Sequence, residues 1–305
     1  MFQPAPDFTH EALLYQGLDG LLAETVPFLR EGVEAGEPML VAIGAEKITA
    51  LRAALGADAD RVEFVDMAIL GRNPARIIPA WRDFASAHAG NAMRGIGEPI
   101  WAGRSATELV ECQLHESLLN VAFAGVPGFR LLCPYDVSAL AESVIHEACC
   151  SHPVVDGATS RAYRDAESLL APFDSPLPPP PATSRLLGFE LGTLVEVRRL
   201  VEHSARRAGL SSDREQDLVL AAGELAANSV RHGGGRGILR IWRGADALVC
   251  EIRDRGQITD PLAGRVEPGD DQLGGRGLWI ANSVCDLVQV RSNAHGTAVR
   301  VHMTL

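Results

Sequence analysis

Four short stretches in the C-terminal part of the chain carry residue types whose spacing could do chemistry. Glu224 and Asn228 stand four apart in Glu224-Leu-Ala-Ala-Asn228-Ser-Val-Arg231-His232-Gly233. On a helix they share one face, a carboxylate one turn before a carboxamide. Taken alone, that pair also fits a polar stripe meeting solvent. Asp254-Arg-Gly256 is the second stretch. An Asp at a strand end can accept from an exocyclic amine, and a Gly two residues on lets a planar base approach. The third is Gly274-Gly275-Arg276-Gly277-Leu278-Trp279-Ile280, glycines running into an apolar helix. Free N–H groups and the helix dipole there suit phosphate oxygens. Gly296-Thr297, opening the last strand, is the fourth.

The elements that must position these residues follow from periodicity. A helix begins near Ser212, where Ser212-Asp213-Arg214-Glu215 reads as a capping box. Leu218, Ala221, Ala222 and Leu225 then repeat at helical spacing and turn one stripe to a core. Ala247–Arg253 alternates as a strand, and Ala298–Leu305 forms the last strand. Leu187-Gly-Phe-Glu-Leu reads as an edge strand and Leu194–Ala208 as an amphipathic helix.

In this order the motifs resemble the Bergerat-fold (GHKL) ATPases, the superfamily of gyrase, heat-shock chaperones and histidine kinases. Glu224 to Gly233 is similar to the N box, Asp254-Arg-Gly256 to the G1 box and Gly274 to Leu278 to the G2 box. Asp260-Pro-Leu-Ala-Gly-Arg followed by Gly-Gly-Arg-Gly-Leu-Trp-Ile-Ala-Asn resembles actinobacterial anti-sigma serine kinases. The resemblance spans residues 183–305. It implies an α/β sandwich with a mixed, mainly antiparallel sheet, with ATP and Mg²⁺ as cofactors. Glu224 would take the acceptor hydroxyl's proton and Asn228 would coordinate Mg²⁺. Asp254 would hold the adenine amine, assisted by Gly256 and Thr297. Gly274, Gly275, Gly277 and Leu278 would meet the phosphates, Arg276 would add charge at the γ-phosphate, and residues 257–273 would form a lid.

The whole chain sets bounds on partners. At 305 residues it can hold two domains with cores of their own. Residues 183–305 carry 16 Arg against 15 acids, whereas 1–182 hold 12 basic and 24 acidic residues. Neither half is basic enough for direct nucleic-acid binding. The N-terminus lacks a signal-peptide layout and no apolar run reaches membrane-spanning length, so the expectation is a soluble, cytoplasmic protein. Six cysteines show no zinc-type CxxC pairs and should stay reduced. Cys250 and Cys285 lie in apolar runs and read as core packing.

The N-terminal part alternates helices and strands, which predicts an α/β layer with mostly parallel strands. Residues 1–9 read as a loose lead-in. Helices are predicted over His10–Glu34, Glu46–Leu55, Pro74–His88, Ala106–Ala124 and Ala139–Cys150, and strands at Met39–Ile43, Val62–Val65, Met93–Trp101 and Phe129–Cys133. Residues 156–171 read as a polar helix. His10 with Tyr15, Phe28-Leu-Arg-Glu-Gly-Val-Glu-Ala-Gly-Glu-Pro, Gly97-Glu-Pro-Ile-Trp101, Glu108-x-x-Glu111, Cys133-Pro-Tyr135-Asp136 and His152-Pro resemble the MEDS sensory domain, over about 8–155. That family is thought to be a degenerate RecA-like fold. In keeping with this, Gly44-Ala-Glu-Lys47-Ile-Thr49, which holds the chain's only lysine, lacks the glycine spacing of a phosphate loop.

His146, Cys149, Cys150 and His152 form the one metal-like cluster the sequence offers, set against the plainer reading of a helix end with buried thiols. Glu111 and His115, four apart, could also ligate, though an ordinary polar stripe explains them as well. Phe8, Tyr15, Trp81, Trp101 and Tyr135 could line a pocket for a small ligand or simply fill a core. The expected division is a sensory domain over 8–170, a stiff polyproline spacer over 171–184 and an ATPase domain over 185–305.

The resemblance implies an ATP-dependent anti-sigma factor and serine/threonine kinase, a homodimer acting in transcription regulation and stress response. Such a protein binds a sigma factor and phosphorylates a STAS-domain anti-anti-sigma protein. A sensor histidine kinase is a second reading, but the helix before the ATPase holds His203 without the expected surrounding motif, and no Pro follows His115-Glu116-x-x-Leu119-Asn120. A module in which ATP only tightens partner binding is a third, and Glu224 argues against it.

Overall fold

Thr9–Tyr15 forms the first strand, β1, where the apolar spacing predicts a helix from His10. The reason is burial on both faces. β1 is an inner strand with parallel neighbours on each side, and even its less buried positions are only partly exposed, so its alternation is weak. Gly17, at φ 63°, turns the chain into α1 (Gly17–Ala35). There follow β2 (Met39–Ile43), α2 (Ala45–Leu55), β3 (Glu63–Asp66), α3 (Met67–Leu70), α4 (Ile77–Ala87), β4 (Met93–Gly97), α5 (Ala106–Ala122), β5 (Phe129–Asp136) and α6 (Glu142–Ser151). Ser105 and Glu108 close a capping box at the start of α5.

The stretch expected as a polar helix after residue 155 instead opens with a hairpin. Its strands are β6 (Val154–Val155) and β7 (Ala158–Thr159), and a short α7 (Ala166–Leu170) comes after them. Asp156 and Gly157, at φ 47° and 74°, make the two-residue turn. Asp-Gly is the sequence signal for such a turn, and it overrides the helical spacing around it.

This is a computed structural model, which describes residues 8–269 and 275–305. The chain divides into two compact units, Met1–Leu170 and Ala171–Leu305. In the first, the sheet order is β3-β2-β4-β5-β1-β6-β7, and every pairing except β6–β7 is parallel. All five residues of β2 are buried, as expected of an inner parallel strand covered by helices.

In the second unit, β8 (Arg185–Glu190) leads to α8 (Leu194–Ala208) and α9 (Ser212–His232), and then to β9 (Arg236–Arg243) and β10 (Ala247–Asp254). After the loop come α10 (Arg276–Val284), β11 (Leu287–Asn293) and β12 (Gly296–Thr304). The cap of α9 is Ser211, one residue before the predicted box, and its hydroxyl accepts from the Arg214 N–H at 3.4 Å. The sheet order is β11-β12-β10-β9-β8, with each pairing antiparallel.

One face of this sheet carries Ile241, Cys250, Val301 and Val288 as a row across four strands, facing the helices. Leu218, Ala221, Ala222 and Leu225 of α9 fill the same core, as their spacing predicts, and so do Cys250 and Cys285. The other face carries the polar row Arg240, Glu251, Arg300 and Gln289. Part of the proline-rich segment lies against that polar face. Arg300 donates to the Pro178 carbonyl at 2.6 Å, Leu177 is buried, and the Arg291 guanidinium stands over the Phe173 ring. That part of the segment packs on the sheet of its own unit, so it is more than a spacer.

Candidate functional site

Glu224 and Asn228 lie on the C-terminal half of α9, both half-buried, one turn apart. Asn228 meets the start of α10. A Cβ at Gly277 would stand 2.3 Å from Asn228 Nδ2, so only glycine lets the two elements close this far. Gly275 caps α10 at φ 90° and has no side chain to cap it, so among the described residues the N–H groups of the first turn have no side-chain cap. Arg276 is exposed beside them, whereas Leu278 packs inward against Gly264 of the preceding loop. Gly274 falls outside the described residues, as does the end of the expected lid.

Asp254 closes β10 opposite Thr297 of β12. Its carboxylate is held at both oxygens: Ser229 Oγ donates to Oδ2 at 2.6 Å and the Gly256 N–H to Oδ1 at 2.7 Å. Each oxygen keeps a further lone pair for an incoming donor. Gly233, at the end of α9, is pressed against the same carboxylate, and a Cβ there would lie 2.3 Å from Asp254 Cγ. Thr297 donates its hydroxyl to the Gly256 carbonyl at 2.8 Å and lies 2.8 Å from Ser292 Oγ. Asn228 thus meets Gly277, and Asp254, Gly256 and Thr297 are tied to one another, with Ser229, the residue after Asn228, linking the two groups. The Glu224 side chain borders a groove shared with Arg198, Gln216 and Leu220.

Two further residues, outside the motifs' role-bearing positions, support this site. Ser229 orients Asp254, and its only signal was its place directly after Asn228. Asn282 donates to the Gly264 carbonyl at 2.7 Å and so pins the loop over α10.

Within the parallel-sheet unit, two polar clusters stand out. Lys47 donates to Tyr15 Oη and Glu98 Oε1, both at 2.6 Å, and Tyr15 donates to the same carboxylate at 2.6 Å. Burial pushes Glu98 upward against the opposing pull of Lys47. The second cluster joins His10, Glu116, Cys133 and His152. Burial, with His152 beside it, pulls the His10 imidazole down to about 4. The sequence grouped His152 with His146, Cys149 and Cys150, but the fold separates them. His152 turns into the core, whereas His146, exposed in the middle of α6, stands 3.7 Å from Cys150 Sγ. Glu111 and His115, for which a polar stripe was the plainer reading, are both buried. Tyr15, Trp81 and Tyr135 are core residues, while Trp101 is stacked by Arg104 at 3.7 Å.

An antiparallel sheet backed by three helices makes an α/β sandwich, and its anchored Asp at a strand end and uncapped helix start beside a carboxamide are of the kind that receives an amine and phosphate oxygens. Residues 188–303 match the family model of the histidine kinase-like ATPase domain, and residues 9–153 match MEDS, the methanogen/methylotroph, DcmR sensory domain. The chain joins a MEDS domain to a histidine kinase-like, ATP-binding domain. Among solved structures, the RsbU and RsbW domains of Rv1364c from Mycobacterium tuberculosis match at 18% identity and a TM-score of 0.31. That match covers 40% of this chain and 32% of the other, so the chain spans about a third of its length. No curated protein matches. Among the described residues, no helix is long and apolar enough to cross a membrane.

Proposed function

We propose that the protein is an ATP-dependent anti-sigma factor and serine/threonine kinase whose N-terminal domain is sensory. The observation that carries this reading is the pairing of Glu224 with Asn228 one turn apart, with Asn228 seated against Gly277 at the start of α10. The donor set fits Mg²⁺ and ATP: a carboxamide oxygen for a hard cation, uncapped N–H groups for phosphates and an oriented carboxylate for an amine. ATP would supply the transferable phosphoryl group.

Each residue then has one task. Asn228 holds the cation, and the N–H groups of Gly275, Arg276, Gly277 and Leu278, with Gly274, receive the phosphates. Asp254, kept in place by Ser229 and Gly256, accepts from the adenine amine, and Thr297 fixes Gly256 behind it. Glu224 takes the proton of the attacking hydroxyl. Phosphoryl transfer asks mainly for positioning and charge, which this site provides.

The acceptor in this reading is a Ser or Thr of a STAS-domain protein, and the competing partner is a sigma factor. The test incubates the full chain with γ-labelled ATP, Mg²⁺ and STAS proteins of the same genome. Acid-stable label on one STAS protein is expected. Acid-labile label on the chain itself would instead mark a histidine kinase.

A further inference from the structure

His10 of β1, Glu116 of α5, Cys133 of β5 and His152 at the end of α6 come together although up to 142 residues separate them in sequence. Their ligand-type atoms lie within 4.8 Å of one another, and none of the four residues is more than 1% exposed. His10 Nε2 is 3.1 Å from Glu116 Oε2 and 3.4 Å from Cys133 Sγ, and His152 Nε2 is 3.4 Å from Glu116 Oε2. A tetrahedral ion with bonds of about 2.0 Å to N and O and about 2.3 Å to S spaces its ligands roughly 3.3–3.6 Å apart.

The hydrogen bonds behind these atoms settle which nitrogen carries each proton. Asn120 donates its Nδ2 to the Ser151 carbonyl at 2.8 Å, which turns its Oδ1 toward His10 Nδ1 at 3.1 Å. An amide oxygen only accepts, so His10 holds its proton on Nδ1. His152 Nδ1 lies 2.8 Å from the Ala148 carbonyl and must likewise donate. Both neutral rings then aim the lone pair of Nε2 at a carboxylate that has only lone pairs to offer. His152 Nε2 and Glu116 Oε1 have no hydrogen-bond partner among the described residues. Buried acceptors facing one another are costly unless a cation stands between them.

We propose that His10, Glu116, Cys133 and His152 bind one borderline divalent transition-metal ion of the Zn²⁺ type, oriented from behind by Asn120 and the Ala148 carbonyl. Two imidazoles, a thiolate and a carboxylate suit Zn²⁺ and its neighbours, whereas Mg²⁺ and Ca²⁺ take oxygen sets. Nδ1–H donation to a carbonyl or amide oxygen is the usual support for a metal-bound His. Binding sends the Cys133 thiol proton to solvent.

The test uses the full chain, produced with added Zn²⁺ and separately refolded with Co²⁺. One metal equivalent per chain is expected by elemental analysis. The Co²⁺ form should show a thiolate-to-metal charge-transfer band with tetrahedral visible bands. Cys133→Ser should abolish the charge-transfer band. Asn120→Ala, which keeps every ligand, should weaken binding by about 10–100-fold and serves if the Ser variant does not fold. Cys150→Ser, in the His146–Cys150 pair, should leave both stoichiometry and spectrum unchanged. A natively folded chain that takes up neither ion, or a band that survives Cys133→Ser or vanishes in Cys150→Ser, would overturn the proposal.

Discussion

At the scale of single residues, the site works by orientation more than by unusual chemistry. Asp254 can hold an amine because Ser229 and the Gly256 N–H fix both of its oxygens. Ser229→Ala should therefore weaken ATP binding by about 10-fold, the worth of one hydrogen bond to a charged group, with the fold unchanged. Calorimetric titration checks this, and unchanged affinity would show that Asp254 needs no support. Gly277→Ala puts a methyl 2.3 Å from Asn228 Nδ2, well inside van der Waals contact, and should reduce ATP affinity by about 10-fold or more while circular dichroism stays native. Asp254, Gly256 and Thr297 were legible in the sequence because each belongs to a short motif with fixed spacing. The cluster of His10, Glu116, Cys133 and His152 was not, because only the pairing of β1 with β5 and the packing of α5 and α6 bring those positions together.

At the scale of elements, helices with one apolar stripe, such as α8 and α9, were the most legible parts. Strands failed where burial weakened alternation, as in β1 between two parallel neighbours. β9 and β11 were passed over even though Arg236–Arg243 alternates, with Leu239 and Ile241 toward the core and Arg240 on the opposite face. The polar sheet face also makes a testable claim. Glu251 is fully buried and receives two hydrogen bonds from Arg300, at 2.5 and 3.0 Å, while Arg300 also holds the Pro178 carbonyl. Arg300→Ala should cost about 2 kcal/mol, because it leaves Oε2 of a buried carboxylate without its donor while Arg253 still holds Oε1. Urea unfolding measures the loss, and limited proteolysis should cut the segment around Pro178 faster than in the parent chain. An unchanged midpoint and an unchanged cutting rate would show that the contact contributes nothing.

At the scale of the whole molecule, each unit has a hydrophobic core of its own, one around Val41, Ile43 and Ile96 and the other around Leu218, Ala222 and Val301. Two thermal transitions are the natural consequence. Mg²⁺ and ATP at about 100 times Kd should stabilise the unit that holds α9 by about 2.7 kcal/mol. Scanning calorimetry should show that transition move upward on adding ATP, and a trace in which no transition responds would contradict the assignment of the site. The central claim rests on Glu224, and one comparison tests it most directly. Wild type and Glu224→Ala are matched for ATP affinity, and the rate of phosphoryl transfer to the STAS acceptor is measured in a single turnover. The account predicts equal ATP binding and a rate at least about 100-fold lower in the variant, the usual worth of a positioned base. Equal transfer rates would contradict it.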